Sequence, residues 1–178
     1  MSRARVELSV GFPPIEDASA RVLVLGSLPG RKSLEMREYY AQPYNAFWRI
    51  MGELFGAGPA LEYPARMVRL RAHGVAVWDV LAAGEREGSL DSSIVRASIV
   101  VNDFHSFFAH HRELELICFN GNTAARLFER KVLPGLPPEW AALERRALPS
   151  TSPAYASLRF EQKLARWRAA LSGPSAAL

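Results

Sequence analysis

Four short apolar runs punctuate the chain: Arg21–Leu25 (RVLVL), Val75–Trp78 (VAVW), Leu114–Phe119 (LELICF) and Arg145–Leu148 (RRAL). The first three are apolar at nearly every position and lack the alternation of a half-exposed strand. They predict strands buried on both faces, as in a parallel sheet. The fourth carries two arginines and predicts an edge. Between the runs lie stretches of helical spacing. Ala46–Phe55 places Phe47, Ile50, Met51 and Leu54 on one side, and Asn122–Lys131 does the same with Ala124, Leu127 and Phe128. Near the C-terminus Leu158, Gln162, Ala165 and Ala169 form one side against Arg159, Lys163, Arg166 and Arg168, with Gly173-Pro174 as the stop. Gly56–Pro64 and Pro134–Trp140 predict loops. Strands separated by helices imply a three-layer α/β/α sandwich with a short, mainly parallel four-stranded central sheet. The 178 residues suit a single domain, with its core over about 21–172 and no internal repeat or Ser/Gly linker.

In such a sheet the loops after the strands emerge together on the carboxyl edge, where α/β folds bind ligands. Here those loops are Gly26-Ser27-Leu28-Pro29-Gly30, Asp79, Asn120-Gly121-Asn122 and Pro149-Ser150-Thr151-Ser152-Pro153. GSLPG lacks the Gly-Lys-Ser/Thr ending of a P-loop and the spacing of a dinucleotide fingerprint. Gly26 lets backbone approach a ligand closely. STSP reads as a helix start, with hydroxyls capping free amides and a dipole that favours an anion. Glu38–Ile50 (EYYAQPYNAFWRI) is dense in aromatics. Phe47 and Trp48 open an amphipathic helix and belong to the core. Tyr39 and Tyr40 precede it and offer a stacking face, while Asn45 sits where a helix cap would.

Composition narrows the chemistry. With 49% hydrophobic and 22% charged residues, wholesale disorder is excluded. Cys118 is the one cysteine. It sits in an apolar run as a small hydrophobe, and no Cys/His cluster suggests a metal. The first residues form no signal peptide and no run is long enough to cross a membrane, so a soluble cytoplasmic protein is expected. The net charge of +4 and pI near 9.6 lean toward polyanionic partners without fixing one.

In order along the chain, VLVLGSLPGRKSL, YYAQPYNAFWRIMGELF, VWDVL, REGSLDSSI, ICFNGNTAARLF and LPSTSPAYA resemble the uracil-DNA glycosylase superfamily. The nearest match is its hypoxanthine (deoxyinosine) DNA glycosylase branch, family 6. The resemblance spans about Arg21 to Arg168. Ala41–Trp48 also resembles the mismatch-specific uracil/thymine branch. Uracil-specific members carry an Asp just before the Pro of the first motif, and the mismatch-specific branch an Asn; this chain has Leu28 there. The resemblance to the hypoxanthine branch implies that Asn45 carries catalysis instead. It also implies that Tyr40 stacks on an extruded base, that Asp79 reads the base edge, and that Ser150, Thr151 and Ser152 grip phosphate ahead of a wedge loop. That loop has Tyr155 where the branch has Asn.

These residue types suit N-glycosidic cleavage, which builds positive charge on the sugar and negative charge on the base. Donors aimed at the departing base and a water held at the sugar suffice, with no metal, cofactor or covalent nucleophile. The Asn45 carbonyl can orient water, and the backbone amides of Ser27 and Leu28 are candidate donors. Asp79 can accept the N1–H that hypoxanthine has and adenine lacks, or it can cap the next helix. Arg31 and Lys32 beside the first motif are candidates for DNA phosphate. The basic side of the last helix either tracks DNA or is merely solvated. The expected protein is a monomeric glycosylase without lyase activity that acts on DNA containing deaminated bases. A uracil- or xanthine-preferring glycosylase, or a non-catalytic nucleic-acid or nucleotide-binding module, are the alternatives.

Overall fold

The computed structural model describes residues 7–172. In chain order the elements are β1 (Glu7–Val10), β2 (Val22–Gly26), α1 (Arg31–Met36), α2 (Phe47–Phe55), α3 (Tyr63–Ala72), β3 (Val75–Asp79), β4 (Leu81–Arg86), β5 (Val100–Val101), α4 (Phe104–His110), β6 (Leu116–Asn120), α5 (Asn122–Lys131), α6 (Pro138–Ala141), β7 (Glu144–Leu148) and α7 (Phe160–Leu171). The four apolar runs become one sheet in the order β3-β2-β6-β7, parallel at every pairing. Its central strands are buried on both faces, with Leu23, Val24, Leu25, Ile117 and Cys118 sealed from solvent. The arginine-bearing run is an edge strand, as its polarity predicts.

The chain steps one way along the sheet from β2 to β3 and the other way from β6 to β7. Right-handed crossovers therefore put the two sets of helices on opposite faces. On one side α2 packs on α3 and α7. On the other, Phe104 of α4 and Phe128 of α5 meet edge to face, with Trp78 of β3 and Phe119 of β6 against them. The result is the three-layer α/β fold. Burial pushes the Cys118 thiol up to about 12, as suits a small buried hydrophobe.

Four differences from the sequence reading have physical causes. First, β1, β4 and β5 form a second, antiparallel sheet. The run LAAGER mixes Ala and Gly with charge and has no strand signature, yet Arg86 in it is buried. Second, α3 begins inside the expected Gly56–Pro64 loop, because Pro64 occupies the first turn of a helix, where its missing N–H costs nothing. The short α6 likewise starts at a proline within the other expected loop. Third, α7 buries the opposite side from the one expected: Lys163, Trp167, Ala170 and Leu171 face inward, while Gln162, Ala165 and Ala169 face solvent. A fully buried indole outweighs three small or polar positions, and the Lys163 stem follows it inward. The Gly173-Pro174 stop lies outside the described residues. Fourth, STSP does not start a helix; it leads into a turn, and α7 begins seven positions after Pro153, at Phe160.

Trp167 ties this helix to the sheet. Its Nε1 donates to the Pro149 carbonyl at 3.0 Å, and its ring meets Phe47 edge-on. Trp167→Ala is expected to lower the unfolding free energy by about 3–5 kcal/mol, measured by chemical denaturation. A loss below about 1 kcal/mol, within the range of ordinary surface substitutions, would contradict this role.

Candidate active site

The carboxyl edge of the parallel sheet opens into a cavity of about 820 Å³. All of the residues singled out above line it: Gly26, Ser27, Leu28, Arg31, Lys32, Tyr40, Asn45, Asp79, Ser150, Thr151, Ser152 and Tyr155. Of the basic side chains on α7, only Arg166 reaches it.

The floor is where β2 and β3 end side by side, Gly26 opposite Asp79. A Cβ at Gly26 would lie 2.5 Å from Asp79 Oδ1 and 2.9 Å from Tyr40 Oη. Only glycine lets those two polar groups meet above the strand end. Asp79 does not cap a helix, since β4 follows it. Asp79 Oδ2 and Tyr40 Oη are both buried without a hydrogen bond. Burial in the first place, with the nearby Asp91 charge adding to it and Arg86 opposing it, raises the Asp79 carboxyl to about 7. Burial and the Asp79 charge likewise hold the Tyr40 phenol well above its ordinary range, with the neighbouring Asn120 amide opposing.

Tyr40 has φ of 54°, a left-handed conformation that is costly for a bulky residue. It is held there by stacking on Phe47 at 4.0 Å between centroids, which leaves its other face toward the cavity. Tyr39 is not a second stacking face. It is buried, and its hydroxyl donates to the Pro13 carbonyl at 3.0 Å. Asn45 borders the cavity, and its Oδ1 accepts the Phe47 N–H at 3.0 Å, while the cap position of α2 itself is Ala46. The carbonyl is thereby aimed, with a second lone pair free.

The far wall hangs on Asn120, at the end of β6. Its Nδ2 donates to Thr151 Oγ1 at 2.8 Å and its Oδ1 accepts the Thr151 N–H at 2.9 Å. The Thr151 carbonyl in turn accepts the N–H of Ala46 at 2.9 Å. Gly121 follows at φ 93°, and a Cβ there would sit 3.1 Å from Ser150 Cβ. From below, Lys163 Nζ donates to the Ser152 carbonyl at 3.2 Å and lies 5.4 Å from the Tyr155 ring centre. Lys163 is thus a brace for this loop and not an exposed cation.

The near wall was not legible in the sequence. Arg86, almost wholly buried, donates to the Leu28 carbonyl at 3.4 Å and to the Pro29 carbonyl, so two consecutive peptide groups of GSLPG are fixed. It stands 3.8 Å from Asp91 Oδ1, which also accepts the Ser27 hydroxyl at 2.6 Å. The Leu28 side chain lies against Gly84. The Ser27 and Leu28 amides are given to no acceptor among the described residues. Ser89 Oγ accepts the Arg31 N–H at 3.0 Å. The signal for this wall was the polar segment REGSLDSSI, recognised as a motif but without a residue marked in it. At the rim Arg31 and Lys32 are exposed, and Lys32 pairs with Glu35 at 3.6 Å.

Comparison with known proteins gives the same picture. The family model described as Uracil DNA glycosylase superfamily matches residues 13–171. A relative from Methanosarcina acetivorans named Hypoxanthine DNA glycosylase is 38% identical over 133 residues, covering 70% of this chain and 83% of the relative. A second so named, from Methanosarcina barkeri, is 38% identical over 112 residues, covering 62% of this chain and 70% of the relative. A solution NMR structure from Methanosarcina acetivorans, described as a candidate uracil DNA glycosylase, superposes with a TM-score of 0.76 at 32% identity. It covers 93% of this chain and 97% of that one.

The raised Asp79 carboxyl has a thermodynamic signature. The folded protein holds that proton up to about pH 7, whereas the unfolded chain releases it near pH 4. The stability linked to the group is complete below about pH 4 and is lost as pH rises through about 7. Asp79→Asn should therefore gain on the parent protein by a few kcal/mol between those limits, measured by denaturation at several pH values. A difference independent of pH would refute the raised value.

Proposed function

The chain belongs to the Uracil DNA glycosylase superfamily, and from that membership we propose that it is a monofunctional DNA glycosylase that removes hypoxanthine from DNA in base excision repair. The observation that carries this reading is the meeting of Asn45, Tyr40 and Asp79 in one cavity, on a chain 38% identical to relatives named Hypoxanthine DNA glycosylase. The domain is proposed to act as a cytoplasmic monomer, without a cofactor.

The deaminated nucleotide leaves the stack and enters the cavity, a step favoured by the weak pairing of hypoxanthine. Its base slides against the free face of Tyr40 and sets its edge on Asp79, which accepts the N1–H. The C1′–N9 bond breaks with its electron pair going to the base. A water held by the Asn45 carbonyl bonds to C1′, and its spare proton ends on the base, leaving a C1′ hydroxyl and free hypoxanthine. The open amides of Ser27 and Leu28 support charge on the departing base. Arg31 and Lys32 at the rim and the Ser150–Ser152 turn take the flanking phosphates, and Tyr155, 40% exposed, fills the gap in the duplex. Lyase activity is not expected: Lys163 Nζ is committed to the Ser152 carbonyl under the 150s loop, and Lys32 stands at the exposed rim with the proposed phosphate contacts.

Duplexes carrying hypoxanthine, uracil or xanthine, incubated with enzyme and cleaved with alkali, test the reading. Hypoxanthine is expected to give the fastest cleavage. Preference for another lesion would reassign the substrate, and tight binding with no cleavage would make the chain a binding module. Asn45→Ala should slow excision by about 10²–10³-fold, the usual effect of losing one such group, while duplex affinity holds. Unchanged turnover would remove Asn45 from the mechanism.

A further inference from the structure

Two carboxylates border the cavity, and they are treated differently. Asp91 Oδ1 receives the Ser27 hydroxyl at 2.6 Å and faces the Arg86 guanidinium at 3.8 Å. Asp79 Oδ2 is buried and receives no donor. The polar group that shares the space above Gly26 with Asp79 is the Tyr40 hydroxyl, itself without a hydrogen bond. An anion supplied with donors is favoured in its charged form; a buried carboxyl without donors, linked to that anion through the adjacent residues Gly26 and Ser27, is favoured in its protonated form.

We propose that Asp79 meets the flipped base as a neutral carboxyl, and that Asp91, bonded to Ser27 and facing Arg86, is the positioning residue that keeps it so. This rests on the glycosylase reading above and adds the protonation state of its base reader. The titratable and charged groups facing Asp79 among the described residues are Asp91 from the loop after β4, Arg86 on β4, and Tyr39 and Tyr40 from the segment before α2. Asp91 pushes Asp79 toward its neutral form and Arg86 opposes it, against a larger effect of burial. Burial raises Asp91 above its ordinary value as well, and the Ser27 hydrogen bond and Arg86 offset only part of that.

The chemistry separates the two forms of Asp79. Deamination turns the amidine edge of adenine into a lactam, an N–H beside a carbonyl. A neutral carboxyl offers the matching pair, its carbonyl accepting N1–H while its O–H donates to O6. An ionised carboxylate accepts N1–H but sets a second anionic oxygen against O6. The difference grows as the glycosidic bond breaks and charge spreads onto the base, so the donor form favours departure. The Asp79 proton stays on Asp79 throughout, and the single proton released by water still goes to the base. A neutral carboxyl can also present its two atoms in the reverse order to adenine. Rejection of adenine then falls mainly to the cost of opening its normal pair.

Single-turnover excision from a hypoxanthine duplex, at saturating enzyme and between about pH 5 and pH 9, tests this. The rate should be level below about pH 7 and fall by about tenfold per unit above it. Asp91→Asn removes the like charge, lowers the Asp79 pKa, and should move that fall to lower pH by about one unit. Ionisation of the substrate cannot produce such a shift. Asp79→Asn, which cannot ionise, should flatten the profile over the same range. A rate that rises with pH, or a fall that Asp91→Asn leaves in place, would overturn the inference. Absence of excision at every pH would instead remove the glycosylase reading on which it rests.

Discussion

Asn120 grips Thr151 with both ends of its amide. The Thr151 hydroxyl and N–H are thereby fixed at the end of β6, and the Thr151 carbonyl passes that position on to Ala46, one residue beyond Asn45. Three segments far apart in the chain are joined through two residues. A side-chain amide suits the task because it donates and accepts in one plane, so it can close a ring with a hydroxyl and a backbone N–H at once. The strand beneath it is buried on both faces and cannot give way. The aim of the Asn45 carbonyl is thus set by the parallel sheet, through a clamp that has no freedom of its own.

The opposite wall is built on a different principle. Arg86 and Asp91 put a buried cation and a partly buried anion against the first motif, and burial of an ion costs heavily unless partners compensate. Asp91 Oδ1 receives the Ser27 hydroxyl and two of the Arg86 nitrogens donate to carbonyls, while Arg86 Nε and Asp79 Oδ2 are left without partners. Such deficits gather at functional sites, where an unmet polar atom is an interaction reserved for something that arrives later. The domain accepts lower stability at the end of β3 in exchange for polar atoms that no protein group among the described residues satisfies.

Legibility divided along the same line. Apolar runs of four to six residues announced the parallel sheet, because strands covered on both faces have no polar side to blur the pattern. The carboxyl-edge rule then gathered Gly26, Asp79, Asn120 and the 150s turn in one place, and the family resemblance added Asn45. The acidic wall stayed hidden because a buried arginine reads as a surface residue, and β4 carries Arg86 on a strand of small and charged residues. Helix α7 misled for a related reason: the Lys163 stem is buried along with Trp167, and counting it as polar rotated the expected face. STSP has the residues of a cap, yet Pro153 and the turn after it carry the chain away before a helix can form. Pattern located what hydrophobic burial organises and missed what buried charge organises.

The passage from β3 to β4 takes a single residue, Val80, whose N–H is held by the Gly26 carbonyl at 2.8 Å. Asp79 on the cavity floor and the brace Arg86 therefore lie on one continuous ribbon that leaves the parallel sheet and enters the antiparallel one. The floor and the near wall of the cavity share that ribbon, with only Val80 between the two strands that carry them. The shape of the cavity mouth is thereby written into the turn between two sheets, and whatever enters meets polar atoms whose spacing a single strand end has already fixed.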